Sequence, residues 1–146
     1  MEVPPAPCAL THSFDIQSRF CDYDAFRHVN NNAYLQYFDL GKMLFMEQTA
    51  GRRFEPQDLS AVIVNININF YAPTVMGEPV SVRSGVAHLG DRAFTVYQQV
   101  VSTETGQVKA TAETILAGFD IATQKGAPLQ PWLKEALKNS MKINKD

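Results

Sequence analysis

The side chains best suited to chemistry in this 146-residue chain are concentrated between residues 20 and 34. Seven polar residues lie there within thirteen positions: Asp22, Asp24, His28, Asn30, Asn31, Asn32 and Tyr34. The segment leads into a long apolar stretch that we expect to be helical. The first amides of a helix lack intrahelical partners and carry partial positive charge, so they can stabilise a carbonyl oxygen that is becoming an oxyanion.

A carboxylate beside such amides would complete the minimum set of groups for acyl transfer. Asp24 could attack as a nucleophile or deprotonate water. The structural alternative, which spacing alone favours, is that Asp24 forms a cap or a turn before the helix. His28, four residues later, could bind zinc, but Asp22 is the only other candidate ligand nearby. A partly buried, hydrogen-bonding histidine is the simpler interpretation, and we expect no metal site.

The helix that must position these groups is predicted over Asn31–Ala50, because this stretch has no proline and Gly51 follows it as a stop signal. Its apolar residues cover most of the circumference and leave a narrow polar stripe, so we expect the helix to be largely buried. Gly41 in mid-helix would let a sheet backbone approach closely, or is simply tolerated there.

The remaining elements are predicted to be strands and one short helix. Strand patterns occur at residues 11–21, 64–70, 80–87, 94–101 and 108–121, and the last three form an antiparallel meander. An amphipathic helix follows at about residues 131–141. This order predicts an α+β fold in which one antiparallel sheet wraps around one long buried helix. We expect a single domain over residues 1–146, with its core at about residues 11–121.

Composition excludes several classes of protein. The chain is 45% hydrophobic and 19% charged, which is globular and not disordered or collagenous. Its net charge of −2 offers no basic surface for nucleic acid or an anionic membrane. Cys8 and Cys21 match no zinc or disulfide pattern, and no signal peptide or membrane span is visible. We therefore expect a cytoplasmic protein that needs no cofactor.

The segment Asp-Tyr-Asp-Ala-Phe-Arg-His-Val-Asn-Asn-Asn-Ala-Tyr, followed by a long apolar helix, resembles the signature of hot-dog-fold acyl-CoA thioesterases of the 4-hydroxybenzoyl-CoA thioesterase class. The wider group includes fatty-acyl-CoA and plant acyl-carrier-protein thioesterases. The likeness continues at residues 70–80 and 90–94 and covers about residues 13–121. It implies a single hot-dog domain that hydrolyses acyl-CoA or acyl-carrier-protein thioesters to a free acid and a thiol.

By this resemblance, Asp24 matches the catalytic aspartate, and the backbone N–H of Asn31 matches the amide that polarises the thioester carbonyl. His28 stands where the acyl-carrier-protein branch has a histidine, but Phe26 replaces the catalytic asparagine of that branch. Some members carry a histidine where Asn31 stands, so the general acid or base is left open. We expect Asp24 to carry the chemistry, the Asn31 amide to hold the oxyanion, and His28 to orient or assist.

Substrate-binding residues follow from the same resemblance. Arg92 matches a basic position that meets coenzyme A phosphates in the 4-hydroxybenzoyl-CoA branch, and a solvated hairpin charge is the alternative. The acyl pocket is expected to draw on Phe26, Val29, Tyr34 and Phe38, although Tyr34 and Phe38 could equally be core residues. This apolar content favours a fatty or aromatic acyl group.

A lone hot-dog domain exposes a sheet edge, which is prone to pair with another chain. We expect a homodimer joined through residues 64–70, with active sites at the interface as the resemblance implies. The face with Asn65, Asn67 and Asn69 is either solvated or a further contact in a homotetramer. Two other functions stay open, namely a hot-dog dehydratase acting on acyl thioesters and a non-catalytic dimer that binds acyl thioesters or a protein partner.

Overall fold

The computed structural model describes residues 2–142, so Met1 and residues 143–146 of the expected domain lie outside the described residues. The elements in chain order are β1 (His12–Ile16), α1 (Asn31–Ala50), β2 (Ala61–Phe70), β3 (Val80–Leu89), β4 (Ala93–Ser102), β5 (Val108–Asp120), β6 (Lys125–Gly126) and α2 (Pro131–Ser140). This confirms the predicted α+β fold class and the bounds of α1. No helix in residues 2–142 has the length and apolarity needed to cross a membrane.

The strands form one antiparallel sheet in the order β1-β3-β4-β5-β2, with the short β6 added beside β5. The predicted meander of β3, β4 and β5 is confirmed. The first strand is shorter than predicted, because β1 ends at Ile16 and a 3₁₀ turn at Phe20–Asp22 follows. β6 was not predicted. β2 pairs only with β5, so its other edge has no strand partner in the described part of the chain.

A bulge at Val64 interrupts the pairing of β2 with β5. Ile63 lies opposite Leu116, whereas Asn65 lies opposite Ile115, which leaves Val64 as an extra residue. Ile63 and Ile66 therefore both point to the concave side of the sheet, where α1 lies. Asn65 points to the convex side.

α1 lies on the concave face and packs against β1, β3, β4 and α2. One half of the core surrounds Phe38 and the other surrounds Phe45, and both side chains are fully buried. The expectation of a largely buried helix was wrong on one side, because Leu40 and Met43 are 43% and 48% exposed. These two side chains lie on the flank that the four packing elements leave uncovered.

Gly41 brings the middle of α1 close to β3. A Cβ atom at this position would lie 2.6 Å from Cγ1 of Val82, which is too close for a carbon–carbon contact. The sheet backbone was expected to approach closely at Gly41, and this was wrong in detail, because the close approach is to the Val82 side chain. Gln98 holds the helix there, since its Nε2 donates to the Phe38 carbonyl at 3.1 Å and to Ser84 Oγ at 3.0 Å.

A buried carboxylate fastens the loop before α1 to the helix. Asp22 is 1% exposed, and its oxygens accept hydrogen bonds from Tyr37 Oη at 2.7 Å and from the Arg19 backbone and guanidinium, each at 2.9 Å. Burial would raise the pKa of Asp22, but the hydrogen bonds from Tyr37 and Arg19 and the charge of Arg19 outweigh it and lower that pKa. Asp22 is therefore a structural anion in the folded protein at neutral pH.

Replacing Asp22 with asparagine keeps the shape and removes the charge, so Asp22→Asn should lower the free energy of unfolding at pH 7 by about 1–3 kcal/mol. The pKa of Asp22 is lower in the folded than in the unfolded state, where it is about 3.9. The contribution is thus present above about pH 4 and is lost as the pH falls through the folded-state pKa. Urea unfolding of both proteins between pH 7 and pH 3 measures this difference.

The matched control is Asp15→Asn, because Asp15 is an exposed carboxylate on β1 with no hydrogen-bond partner among the described residues. It should change the unfolding free energy little at any pH. A stability difference between wild type and Asp22→Asn that stays constant down to pH 3 would contradict the anionic role of Asp22.

Candidate active site

Two loops lie side by side at the amino-terminal end of α1. We call residues 20–30 the Asp24 loop and residues 71–79 the Thr74 loop. His28 and Val75 form an isolated antiparallel bridge, the Val29 amide donates to the Thr74 carbonyl at 2.9 Å, and the Met76 amide donates to the Arg27 carbonyl at 2.8 Å. The backbone of each loop therefore fixes the position of the other.

Asp24 begins a tight turn in its loop. Its Oδ1 accepts hydrogen bonds from the backbone amides of Phe26 at 2.9 Å and His28 at 3.2 Å, and its own amide donates to the His28 carbonyl at 2.9 Å. Arg27 closes the turn with a φ of 61°, in the left-handed region that non-glycine residues seldom adopt. Oδ1 of Asp24 thus stabilises the turn, as the structural alternative for this residue predicted. Oδ2 accepts no hydrogen bond from any described residue.

The start of α1 has two free amides. Asn30 is the N-cap: its Oδ1 accepts from the Ala33 amide at 2.8 Å, and its carbonyl accepts from the Tyr34 amide at 3.3 Å. The amides of Asn31 and Asn32 have no acceptor in residues 2–142. They lie at the positive end of the helix dipole, where they can bind an oxyanion.

Asp24, His28 and Asn31 line a common cavity of about 350 Å³. Its other walls are Val29, Tyr34 and the chain from Phe70 to Pro73. Tyr34 is held there by a 2.7 Å hydrogen bond to Thr74 and by edge-to-face packing on Phe70, with ring centroids 5.4 Å apart. We call this space the Asp24 cavity. The three residues expected to be catalytic thus meet at one opening, whose walls are polar on the side of the Asp24 loop and apolar on the side of Tyr34 and Phe70.

The His28 ring is half-exposed and forms no hydrogen bond to a described residue, so it does not contact the Asp24 carboxylate directly. The two residues are connected through the His28 backbone, whose amide donates to Asp24 Oδ1 and whose carbonyl accepts from the Asp24 amide. Within residues 2–142, no three His, Cys, Asp or Glu side chains are grouped as metal ligands.

The expected substrate-binding residues divide into three groups. Val29 and Tyr34 line the Asp24 cavity. Phe26 is 82% exposed on the Asp24 loop, outside the cavity wall. Phe38 is 1% exposed and belongs to the core, so it does not line the Asp24 cavity.

Arg92 lies at the opposite end of the sheet from Asp24. The Asp24 loop adjoins the Val80 end of β3, whereas Arg92 follows the Leu89 end, and ten residues of strand span roughly 30 Å. Arg92 is exposed there, in the hairpin between β3 and β4. It cannot reach the Asp24 cavity of its own chain.

Sequence reasoning missed the ion pair that fixes the Thr74 loop. Lys109 on β5 is almost fully buried, and its Nζ lies 3.0 Å from Glu78 Oε2 and donates to the Pro73 carbonyl at 3.0 Å. Burial would raise the pKa of Glu78, but the hydrogen bonds from Lys109 and neighbouring groups outweigh it and lower that pKa. A lysine between apolar residues of a strand was the only signal, and nothing in the sequence pairs it with Glu78.

A second cavity, of about 790 Å³, lies at the other end of α1. Its walls include Met43, Met46, Phe54, Ile63, Trp132 and Leu133. We call it the α2 cavity. Phe54 and Trp132 pack edge to face, and the Arg52 guanidinium lies over the Trp132 ring at 4.2 Å from its centroid, so the segment that follows α1 is held against α2.

Known proteins resemble this chain in sequence and in structure. The long-chain acyl-CoA thioesterase FadM of Escherichia coli (strain K12) is 28% identical over 128 residues, which are 87% of this chain and 97% of FadM. A predicted thioesterase from Bacillus stearothermophilus matches with a TM-score of 0.80 at 19% identity, over 88% of this chain and 95% of its own. A 1,4-dihydroxy-2-naphthoyl-CoA thioesterase from Synechocystis matches with a TM-score of 0.76 at 20% identity, over 87% and 95% of the two chains.

The two structural matches have the same fold, which confirms the hot-dog architecture expected from the sequence. A family model described as the thioesterase-like superfamily matches residues 18–137, which include the Asp24 loop, the Thr74 loop and both cavities. The chain belongs to the thioesterase-like superfamily.

Proposed function

We propose that this chain hydrolyses acyl-CoA thioesters to a free acid and coenzyme A, with Asp24 and the Asn31 amide as the reacting and stabilising groups. The observation that carries the proposal is the meeting of a carboxylate and free helix amides at one cavity. Membership of the thioesterase-like superfamily and the named activity of FadM support the choice of a thioester as substrate.

In this mechanism the thioester carbonyl oxygen accepts a hydrogen bond from the Asn31 amide, which strengthens as negative charge develops on that oxygen. Oδ2 of Asp24 removes a proton from water while the water oxygen adds to the carbonyl carbon. The carbon–sulfur bond then breaks, and the departing thiolate receives the proton. Oδ2 could instead attack the carbonyl carbon itself, and both routes need this oxygen to be free of protein hydrogen bonds.

The two amides that hold Oδ1 give Asp24 a defined orientation. Since Phe26 and His28 both donate to this one oxygen, the second oxygen keeps its direction without a further partner. The His28 ring, which lines the same cavity, assists by contacting the substrate or the attacking water. We expect His28→Ala to reduce turnover less than changes at Asp24, and by an amount that depends on the acyl group.

We also propose that two copies pair along the free edge of β2. Unpaired strand edges bind other strands, and the apolar side chains of Val64, Ile66 and Phe70 are exposed along this one. A twofold axis that pairs β2 with its copy antiparallel places the far end of the partner beside the Asp24 cavity. In that arrangement Arg92 of the partner subunit, and not that of the same chain, is near enough to meet coenzyme A phosphates.

The assembly is tested by light scattering on the eluting protein. We expect a mass of twice the 16.3 kDa chain, or four times if the face with Asn65, Asn67 and Asn69 forms a further contact. A stable monomer with full thioesterase activity would contradict the shared site.

The role of Asp24 is tested by Asp24→Asn, which keeps an acceptor for the two backbone amides and removes the charge. Turnover should fall at least about a hundredfold, the typical contribution of a positioned base. The measurement is thiol release from fatty and aromatic acyl-CoAs, with Asp15→Asn as the matched control that keeps wild-type rates. Near-native turnover of the Asp24 variant on every hydrolysed substrate would refute the assignment, and dehydration of a 3-hydroxyacyl-CoA without thiol release would favour a dehydratase.

The role of the Asn31 amide is tested by Asn31→Pro. Asn31 is the first helical residue, where proline is well tolerated, and Asn30 already has the extended conformation (φ −80°, ψ 163°) that a following proline requires. The variant lacks the N–H and should lose about tenfold to a thousandfold in kcat. Asn31→Ala, which keeps the amide, is the control and should stay near wild type. Equal rates for the two variants would show that this amide does not hold the oxyanion.

A further inference from the structure

The wall of the α2 cavity contains a buried cation. Lys42, on α1, is only 5% exposed and lines this mostly apolar space. Removal from water lowers the pKa of Lys42, and the nearby Asp39 carboxylate opposes this effect only in part. A lysine in such a place needs hydrogen-bond acceptors, because burial without them costs free energy.

The acceptors that the protein supplies to Lys42 are few and distant. Its Nζ lies 3.4 Å from Asp39 Oδ1 and 3.5 Å from Thr114 Oγ1, and both distances are at the long limit for a hydrogen bond. An ammonium group has three donors, and no other described residue accepts from this one. Asp39 is itself mostly exposed to solvent. The group is therefore able to bind an oxygen that enters the cavity.

A strip of apolar residues connects the α2 cavity with the Asp24 cavity. Phe70 lines the Asp24 cavity, Ile63 lines the α2 cavity, and Ile66 lies between them on the concave face of β2. Lys42 follows Asn31 by eleven residues of helix, which is roughly 16 Å along the helix axis. An extended acyl chain covers this distance with about 13 carbon atoms.

The charges around Lys42 select the kind of oxygen. Asp39, Glu55 and Asp58 also line the α2 cavity, and Asp58 is paired with Arg52 at 3.3 Å, so a carboxylate at the end of an acyl chain would be repelled chiefly by Asp39 and Glu55. An uncharged hydroxyl or oxo oxygen avoids this repulsion and still accepts a hydrogen bond from the ammonium group.

We propose that the α2 cavity binds the distal part of a long acyl chain and that Lys42 donates a hydrogen bond to a hydroxyl or oxo oxygen on that part. The proposal rests on the proposed thioesterase function and names the substrate class: long-chain acyl-CoAs oxygenated far from the thioester. Thr114, which is buried on β5 opposite Ile66, is placed to share the same oxygen.

The test compares kcat/KM for hexadecanoyl-CoA, 12-hydroxy- and 16-hydroxyhexadecanoyl-CoA, hexadecanedioyl-CoA and hexanoyl-CoA. Wild type should prefer at least one hydroxylated chain about tenfold over hexadecanoyl-CoA, and should disfavour the dicarboxylic chain. Lys42→Met, which keeps the unbranched shape of the side chain without the ammonium group, should abolish the preference by lowering the rate on the hydroxylated chain. Hexanoyl-CoA, which is too short to reach Lys42, should be unaffected. Lys138→Met, on the exposed face of α2, is the matched control.

A second variant tests the cavity without touching Lys42. Met43→Trp should fill the α2 cavity and slow the hydrolysis of every hexadecanoyl derivative, with no change for hexanoyl-CoA. Equal kcat/KM of the wild type for plain and hydroxylated chains, or an equal loss on hexanoyl-CoA in Lys42→Met, would overturn the proposal.

Failure of the proposal is distinguishable from failure of the thioesterase function. Calorimetry measures the affinity of the Asp24→Asn variant for 16-hydroxyhexadecanoyl-CoA and for hexadecanoyl-CoA. These affinities report on the cavity without turnover. A preference for the hydroxylated chain that Lys42→Met removes in this background supports the role of Lys42, even if no variant releases thiol. Equal affinities would overturn it, even if the enzyme is active.

Discussion

The position of the candidate site depends on one buried carboxylate. Asp22 connects three parts of the chain: Arg19 before the 3₁₀ turn, Tyr37 on the second turn of α1, and Asn30, whose amide donates to the Asp22 carbonyl at 2.8 Å. Asp24 follows Asp22 by two residues. Asn31 directly follows Asn30, whose amide is bonded to Asp22. The distance between the Asp24 carboxylate and the Asn31 amide, to which we assign the reacting and stabilising roles, is therefore set by Asp22, which has neither role in the proposed mechanism.

A buried ion pair between Lys109 and Glu78 holds the opposite wall. Lys109 fixes the Thr74 loop from β5, and the Thr74 loop in turn pairs with the Asp24 loop and bonds Tyr34. The cavity is thus held between α1 on one side and the central sheet on the other. Charged groups that are buried and fully bonded give a loop the rigidity that a strand or helix has by itself, which preorganises the site before a substrate arrives.

Much of this architecture could be predicted from the sequence, because local signals were strong. The absence of proline and the glycine at position 51, which adopts a φ of 74°, gave α1 its observed bounds, and turn residues separated the strands of the meander. The first strand was predicted too long because Phe20 continued its apolar pattern, whereas this side chain is 88% exposed on the 3₁₀ turn. Periodicity reports which residues alternate, but not whether tertiary contacts cover them.

Only the part of the candidate site that is close in the chain could be predicted, because sequence patterns do not reveal contacts between distant segments. Asp24, His28 and Asn31 are close in the chain, so their meeting needed only one turn and the start of a helix. Arg92 was expected by resemblance to meet coenzyme A phosphates, and its distance from Asp24 in the same chain follows from the direction of β3, which no local pattern reveals. The pairing of Lys109 with Glu78, and the burial of Lys42, likewise depend on contacts between distant segments.

The bulge at Val64 has a geometric consequence for substrate binding. Side chains alternate between the two faces of a strand, so in a regular β2 Ile63 and Ile66 would lie on opposite faces. The extra residue turns them to the same face, so Ile63, Ile66, Ile68 and Phe70 form one apolar row along the concave side of β2. Without the inserted residue this row would stop at Ile66, and Ile63 would lie on the outer face of the molecule.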